Sequence, residues 1–586
     1  MLFVFTYICT FTKGACRIPK MGMTNKNLCL KNTAIKTFQP MKKSVSLLLI
    51  ALLGIGFQLF AQQNKRPKLV VGLVIDQMRY DYLVRFADKY GDHGFKRLLR
   101  NGFHLENAHF NYIPTYTAVG HSSVFTGTTP ANHGIVGNDW YDSSLQKIIY
   151  CVDDARYQTV GSASTNGQKS PYRLQTTTLA DQLRLAQNMR GKSIGISIKD
   201  RSAILSAGHT ANAAYWYEGA DEGKWISSSF YLDALPKWVE DFNKNGKANV
   251  YLNQIWEPYA ALESYTESIE DDNPYEGLFV GETAPVFPHD LPRLRKTNQN
   301  YDLLPQVPFG NTFTTDFAEA AIIGESLGSS SFTDFLCISY SSPDKIGHKY
   351  GVDSKEIEDT YIRMDLEIAR LLKFLDKQVG KNQYTLVLTA DHAAAQVPNY
   401  LKKLKIPAGY LDNNAFRSFV QKLALEKYGT KTLIENISNH QIFLRRSTLN
   451  DLGLDIRKVE NYLADAILDF DRIYKTVTAH ALQNTSYTSG ILHLIQQGYN
   501  QKISGDIVFI PKPATLGGYY KNTGTGHGSG YSYDTHVPVI FYGKGIRKGH
   551  SKKYHPIIDI APTLANLLQI EFTNGNSGTV IEGVFK

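Results

Sequence analysis

The sequence predicts an α/β fold, with a central, mostly parallel sheet flanked by helices and two insertions capping one end. Continuous apolar, β-branched runs recur along the chain, as expected of strands buried on both faces of a parallel sheet. Helical patterns separate several of these runs, the alternation that marks α/β architecture. Three of the runs are followed within four residues by an Asp, at 76, 344 and 391, and ligands in such folds sit beyond the C-terminal ends of the strands.

The first strand is KLVVGLVI at 68–75, ending at Asp76. A helical pattern follows from Thr177 to Met189, then the run SIGISI at 193–198. The third strand is FLCISY at 335–340, and a long helix with alternating apolar and charged residues runs from Ser354 to Val379. YTLVLT at 384–389 and VPVIFYG at 537–543 complete the set, and the helix IIDIAPTLANLLQI closes the chain. Two stretches depart from this rhythm. Residues 205–310 are rich in Tyr, Trp, Asp, Gly and Pro, and residues 395–520 lack buried-strand runs but carry a helix near 455–469. Both read as insertions that form a cap.

The first 61 of the 586 residues read as an extension plus a secretory signal, with the mature chain starting near 62. Met41 opens the signal pattern: Lys42 and Lys43, an apolar run from Val45 to Phe60, and Ala61 before Gln62. Residues 1–40 hold six basic residues and no acidic one, consistent with translation that starts at Met41. The expected location is the periplasm or the medium. The formal charge of +9 comes from 63 basic and 54 acidic residues, but eight basic residues and no acidic ones lie in 1–61. The remainder is near balance, so charge gives no ground for a nucleic acid partner. Five Cys become two, Cys151 and Cys337, which argues against a disulfide scaffold and for a buried free thiol in FLCISY. No later segment is long and apolar enough to span a membrane.

Seven side chains of metal-ligand type stand at strand ends or in Gly-rich turns: Asp76, Thr117, Asp344, His348, Asp391, His392 and His527. Asp344 and His348 share a face if their segment is helical, although an ordinary surface turn also explains them. Asp391 and His392 end a buried strand, where a charged pair needs a purpose. His527 lies in TGTGHGSG, whose glycines let backbone approach a site closely. Asp76 could instead cap a following helix. Thr117, in PTYTAVGH, would lie at a helix N-terminus if a helix starts at Ala118, where N–H groups favour an oxyanion. Three carboxylates and three imidazoles suffice for two zinc ions. A Thr hydroxyl is a poor nucleophile at neutral pH unless a metal stabilises its alkoxide, so the whole set predicts phosphate-ester hydrolysis.

The chain resembles the alkaline phosphatase superfamily, and within it the periplasmic phosphatases with a threonine nucleophile. The motifs that carry the resemblance are IDQMRYDYL, PTYTAVGHSS, NHGIVGNDWYD, KDRSAI, SSPDKIGH, TADH and GTGHGSGYSYDTHVP, and it extends to DIAPTLANLL. It implies an alkaline-phosphatase-like fold. Asp344, His348 and His527 would hold one zinc, and Asp76, Asp391 and His392 the other, with Thr117 attacking beside it. A covalent phosphothreonine would form, and hydroxide would then release phosphate. His536, which opens a strand in DTHVP, competes with His527, and the Gly-rich turn favours His527. The resemblance leads to an expectation of Pro at position 530, where this chain has Gly530.

Three further residues bear on substrate class. Asn138 matches the family position that donates an amide hydrogen bond to a phosphoryl oxygen, and otherwise reads as a turn residue. Lys199 and Arg201 follow SIGISI, and at i and i+2 on an extended segment they would point the same way. Together they would neutralise the extra charge of a monoester dianion, so small-molecule phosphate monoesters are the expected partners, taken in broad-specificity scavenging. The related nucleotide pyrophosphatases and phosphodiesterases lack this pair, which makes a diesterase the runner-up. The arylsulfatase motif C/S-x-P-x-R is absent, since the position reads Thr117-Ala118-Val119-Gly120-His121. A catalytically inactive phospho-ligand binder would be expected to miss a ligand or the nucleophile, and none is missing.

Overall fold

Among the described residues, eleven strands form the main sheet. In chain order they are β1 (Leu69–Ile75), β2 (Phe103–His109), β3 (Thr159–Val160), β4 (Ser193–Ser197), β5 (Ala213–Glu218), β6 (Lys224–Ser228), β7 (Asp334–Tyr340), β8 (Tyr384–Thr389), β9 (His536–Gly543), β10 (Gly549–Ser551) and β11 (His555–Pro556). Their spatial order is β10-β2-β9-β8-β1-β7-β4-β5-β6-β3, with β11 also pairing β2. The computed structural model describes residues 66–517 and 522–586. The extension and signal-type segment read in 1–61 lie outside the described residues.

The middle of the sheet, β8-β1-β7-β4-β5, is parallel throughout. Every residue of β1, β7 and β8 is buried, which is why these strands read as unbroken apolar runs. Their register sets up the site. Ile75 pairs with Tyr340 and Val74 with Thr389, so the three strands end in one row and hand their next residues to the same edge. The run at 537–543 differs from expectation in direction: β9 is antiparallel to both β8 and β2. Burial on both faces gives a continuous apolar run whichever way a strand points.

Six helices bear on the site and its supports: α1 (Thr117–Thr126), α2 (Asp200–Ala207), α3 (Phe309–Gly324), α4 (Ser342–Tyr350), α5 (Lys355–Leu375) and α6 (Ile560–Leu568). Helix α5 begins where the sequence places it, because Ser354 Oγ accepts a hydrogen bond from the Ile357 N–H.

The stretch 205–310 is not wholly an insertion. Its first part supplies β5 and β6, which widen the main sheet. The sequence hid them because their apolar residues are aromatic rather than aliphatic, yet such rings suit a pleated surface. Trp225 stacks on Phe317 of α3 at 4.2 Å, and Tyr215 meets the same ring edge-on. Within the stretch 395–520, residues 413–511 form a separate layer. Four antiparallel strands, Ile434–Ser438, Gln441–Leu444, Ile507–Pro511 and Ile473–Thr478, pack on helices Asn413–Tyr428 and Ile456–Ala466 around Phe416, Val420, Leu463 and Phe509. Hydrogen bonds from Ile113 N to Leu494 O (3.0 Å) and from Asn439 Nδ2 to Asp139 O (2.6 Å) tie this layer to the segments flanking Thr117 and Asn138. Cys151 and Cys337 are free and buried. Among the described residues no helix is long and apolar enough to cross a membrane.

Candidate active site

Asp76 leaves β1 directly and caps no helix; the chain turns instead through Gln77 in a left-handed conformation, φ +65°. A non-glycine residue held there is unusual and clusters at functional sites. Gln77 spans the site: its N–H donates to Asp391 Oδ1 (3.1 Å) and its Nε2 to Asp344 Oδ1 (2.8 Å). Asp344 and His348 do lie on a helix, one turn apart on α4, with Nε2 3.0 Å from Oδ1. Asp391 and His392 follow β8, both fully buried. His527 arrives on the Gly-rich loop, where Gly528 has φ +123° and a Cβ would fall 2.6 Å from the Tyr116 ring.

Two ligand-type groups result. Asp344, His348 and His527 form one, and Asp76, Asp391 and His392 the other, with the candidate ligand atoms of each group within 4.8 Å of one another. His536 belongs to neither. Its Nε2 donates to Glu106 O (3.0 Å), and its ring stacks between Tyr80 and His109.

The imidazoles are oriented for metal binding. Nδ1 of His348 donates to Thr525 O (2.8 Å), that of His527 to Thr115 O (2.7 Å) and that of His392 to Ala393 O (3.0 Å). With Nδ1 protonated, each Nε2 carries a lone pair, the tautomer a metal needs. Burial pushes His392 down to about 4, and burial together with the neighbouring His392 holds His527 well below the usual imidazole range. Both rings are therefore neutral at neutral pH.

The carboxylates need a cation. Asp76 Oδ1 and Asp391 Oδ2 are buried and receive no hydrogen bond. Burial and the adjacent Asp76 raise the Asp391 carboxyl well above the usual range. Burial acts the same way on Asp344, but His348 and Lys199 outweigh it and hold that group low. Both orphaned oxygens belong to the Asp76, Asp391 and His392 group; in the other group Asp344 Oδ1 already accepts from Gln77 and Oδ2 from Lys199. The oxygen and nitrogen donors of each group suit a divalent metal ion.

Thr117 is the first residue of α1, one position earlier than the helix start weighed from sequence. It is buried, and its Oγ1 is 3.4 Å from His392 Nε2. Asn138 sits beside it: Oδ1 accepts from the Ala118 N–H at 2.9 Å, so its NH2 is the end left to face a ligand. Gly120 lets α1 lie against Asp391, since a Cβ there would fall 2.0 Å from the Asp391 carbonyl oxygen.

Lys199 and Arg201 do not share an extended segment. Strand β4 stops at Ser197, Lys199 is the N-cap of α2, and Arg201 lies in its first turn. The i, i+2 geometry fails because the helix begins at Asp200. The Lys199 ammonium is 2.6 Å from both Asp76 Oδ2 and Asp344 Oδ2, bridging the two groups. Arg201 Nη1 donates to Tyr150 OH at 2.9 Å, and Tyr150 in turn donates to Asp200 Oδ1 at 2.6 Å.

Sequence reasoning missed Gln77, His121 and Tyr150. His121 is fully buried, with Nδ1 donating to Thr117 O (2.8 Å) and Nε2 meeting Ser339 Oγ (2.9 Å). A histidine one turn after Thr117 was a visible signal for it; Gln77 and Tyr150 left none.

Similar proteins place the chain. The family model for type I phosphodiesterases and nucleotide pyrophosphatases matches residues 70–534, and the chain belongs to the alkaline phosphatase superfamily, of which that family is part. A protein named calcium-transporting ATPase from Myroides odoratus is 43% identical, over 89% of this chain and 96% of its own length. Alkaline phosphatase PafA of Elizabethkingia meningoseptica is 41% identical, over 92% of this chain and 98% of its own. The crystal structure of wild-type PafA superposes with a TM-score of 0.85 at 40% identity, covering 89% of this chain and 99% of that one. Within the superfamily, this chain is an enzyme of the PafA-type alkaline phosphatases.

Proposed function

We propose that the chain is a zinc-dependent phosphate monoesterase acting through a covalent phosphothreonine at Thr117. The carrying observation is the placement of the Thr117 hydroxyl, at the N-terminus of a buried helix and 3.4 Å from His392 Nε2, beside two ligand-type groups. Asp344, His348 and His527 would hold one Zn2+ and Asp76, Asp391 and His392 a second, with Thr117 adjoining the latter. Zinc supplies acidification of an oxygen nucleophile and neutralisation of phosphoryl charge.

Thr117 Oγ1 forms the new bond to phosphorus as the bond to the ester oxygen breaks. The Asn138 NH2 and the N–H groups at the start of α1, other than that of Ala118, which Asn138 Oδ1 takes, bind non-bridging oxygens. Lys199 and Arg201 offset the remaining dianion charge, with Tyr150 holding the guanidinium in place. Water then cleaves the phosphothreonine and frees phosphate. The layer at 413–511 acts as a cap, in keeping with its tethers beside Thr117 and Asn138. Export to the periplasm, directed by residues 41–61, fits a role in phosphate scavenging. ATP hydrolysis, named for the Myroides odoratus relative, requires the same attack on a terminal phosphoryl group, so ATP belongs among the substrates assayed. A diesterase is the second reading, favoured by the name of the matching family.

Thr117→Ala tests the reading. Phosphate release should fall by roughly 10³-fold or more while bound metal is retained. Full activity in that variant would move the nucleophile elsewhere.

A further inference from the structure

A third cluster of ligand-type side chains lies away from the active site. We propose that His104, Glu106 and His550 form a separate site for a transition-metal ion of the Zn2+ class, stapling the edge strand β10 to β2.

Strands β2 and β10 are parallel, and His104 pairs directly with His550. Glu106 is two residues beyond His104, on the same face of β2. The three side chains converge: Glu106 Oε1 is 2.6 Å from His550 Nδ1 and 3.7 Å from His104 Nε2, and all three candidate ligand atoms lie within 4.8 Å of one another. A tetrahedral ion with bonds of about 2.0–2.1 Å holds its ligand atoms roughly 3.3 Å apart. The two contacts to Glu106 bracket that value, so small side-chain rotations would seat an ion. The Glu106 backbone is pinned by the hydrogen bond from His536 Nε2 to its carbonyl.

Position separates this cluster from the catalytic groups. Ile540 of β9 pairs with both His104 and Leu388, so His104 lies in the row of Leu388, two strands away and three residues short of Asp391. At the usual spacings of a sheet that is on the order of 14 Å.

Chemistry selects the ion. Two imidazoles and one carboxylate suit Zn2+, Co2+, Ni2+ or Cu2+, whereas Ca2+ and Mg2+ require mostly oxygen ligands. His550 is exposed and leaves a fourth position open to water. Arg547, Lys548, Lys552 and Lys553 flank it in sequence and weaken its attraction for any cation, so its ion should exchange faster than those of the catalytic groups. The gain lies at the edge: β10 has only three residues, and an ion would join it to β2 beyond its few backbone pairs.

The test counts metal rather than activity. The full chain and its His104→Ala/His550→Ala variant are equilibrated with Co2+, and bound cobalt and the visible tetrahedral spectrum are recorded. The variant should bind one ion fewer per chain and lose part of the spectrum, with hydrolysis of an aryl phosphate unchanged. The single variants His550→Ala, at an exposed ring, and Glu106→Gln guard against misfolding and should each show the same loss. Equal metal content in wild type and all variants would overturn the proposal, whatever the outcome for the catalytic groups.

Discussion

Lys199 and Asp344 are joined by a 2.6 Å contact between ammonium and carboxylate, and the same nitrogen reaches Asp76 at 2.6 Å. The lysine thus stands at the junction of the two ligand groups rather than on a solvated strand end. Burial would lower its pKa, but Asp344 and Asp76 outweigh burial and hold it above the ordinary lysine value.

Removing that charge separates the substrate classes. Lys199→Met and Arg201→Ala should each lower monoester kcat/KM by about 10²–10³-fold, the size of one charge-directed donor in a water-excluded site. Diester turnover should fall much less, because a diester carries one negative charge fewer. Parallel assays of aryl monoester and diester check this, and equal losses would assign both residues to the fold.

Gly120→Ala should damage the site without touching a ligand. The added Cβ would meet the Asp391 carbonyl at 2.0 Å, so α1 or the loop carrying Asp391 and His392 must shift. Overpacking of this kind costs about 1–3 kcal/mol. Thermal unfolding and metal retention should both decline, and a variant unchanged in both would mean that the two segments are not in contact.

The protein should lose stability in mild acid, partly through His133. This ring is fully buried, and it accepts the Ile135 N–H at Nδ1 while Nε2 meets Ser123 Oγ. Burial pushes its pKa from 6.5 down to about 3. Below 6.5 the unfolded chain therefore takes up a proton that the folded chain refuses. The stability present above 6.5 is lost as pH falls toward 3, by up to about 1.4 kcal/mol per pH unit. His133→Gln should give a shallower decline between pH 6.5 and 4 in thermal melts, and an identical decline would place the proton uptake elsewhere.

The sequence revealed what burial and chain ends make visible. β1, β7 and β8 announced themselves because both faces are covered, and the Asp residues shortly after them stood out against apolar runs. Helix α5 was legible from its alternation of apolar and charged residues. By contrast, β5 and β6 were hidden by aromatic composition, and the direction of β9 leaves no trace in a two-sided strand. The extended i, i+2 geometry expected for Lys199 and Arg201 fails because the boundary between β4 and α2 falls between two positions that look alike in sequence. Gln77 acts through contacts across hundreds of residues, and Tyr150, at the end of the strand Lys147–Tyr150, through contacts to the start of α2, which no local pattern encodes.

The most direct measurement is kcat/KM of residues 62–586 on an aryl phosphate monoester and the matching diester, with zinc and after chelation. A zinc phosphomonoesterase should show a large monoester preference, lost on chelation and restored by zinc. A diester preference, or monoester turnover indifferent to chelator, would contradict that assignment.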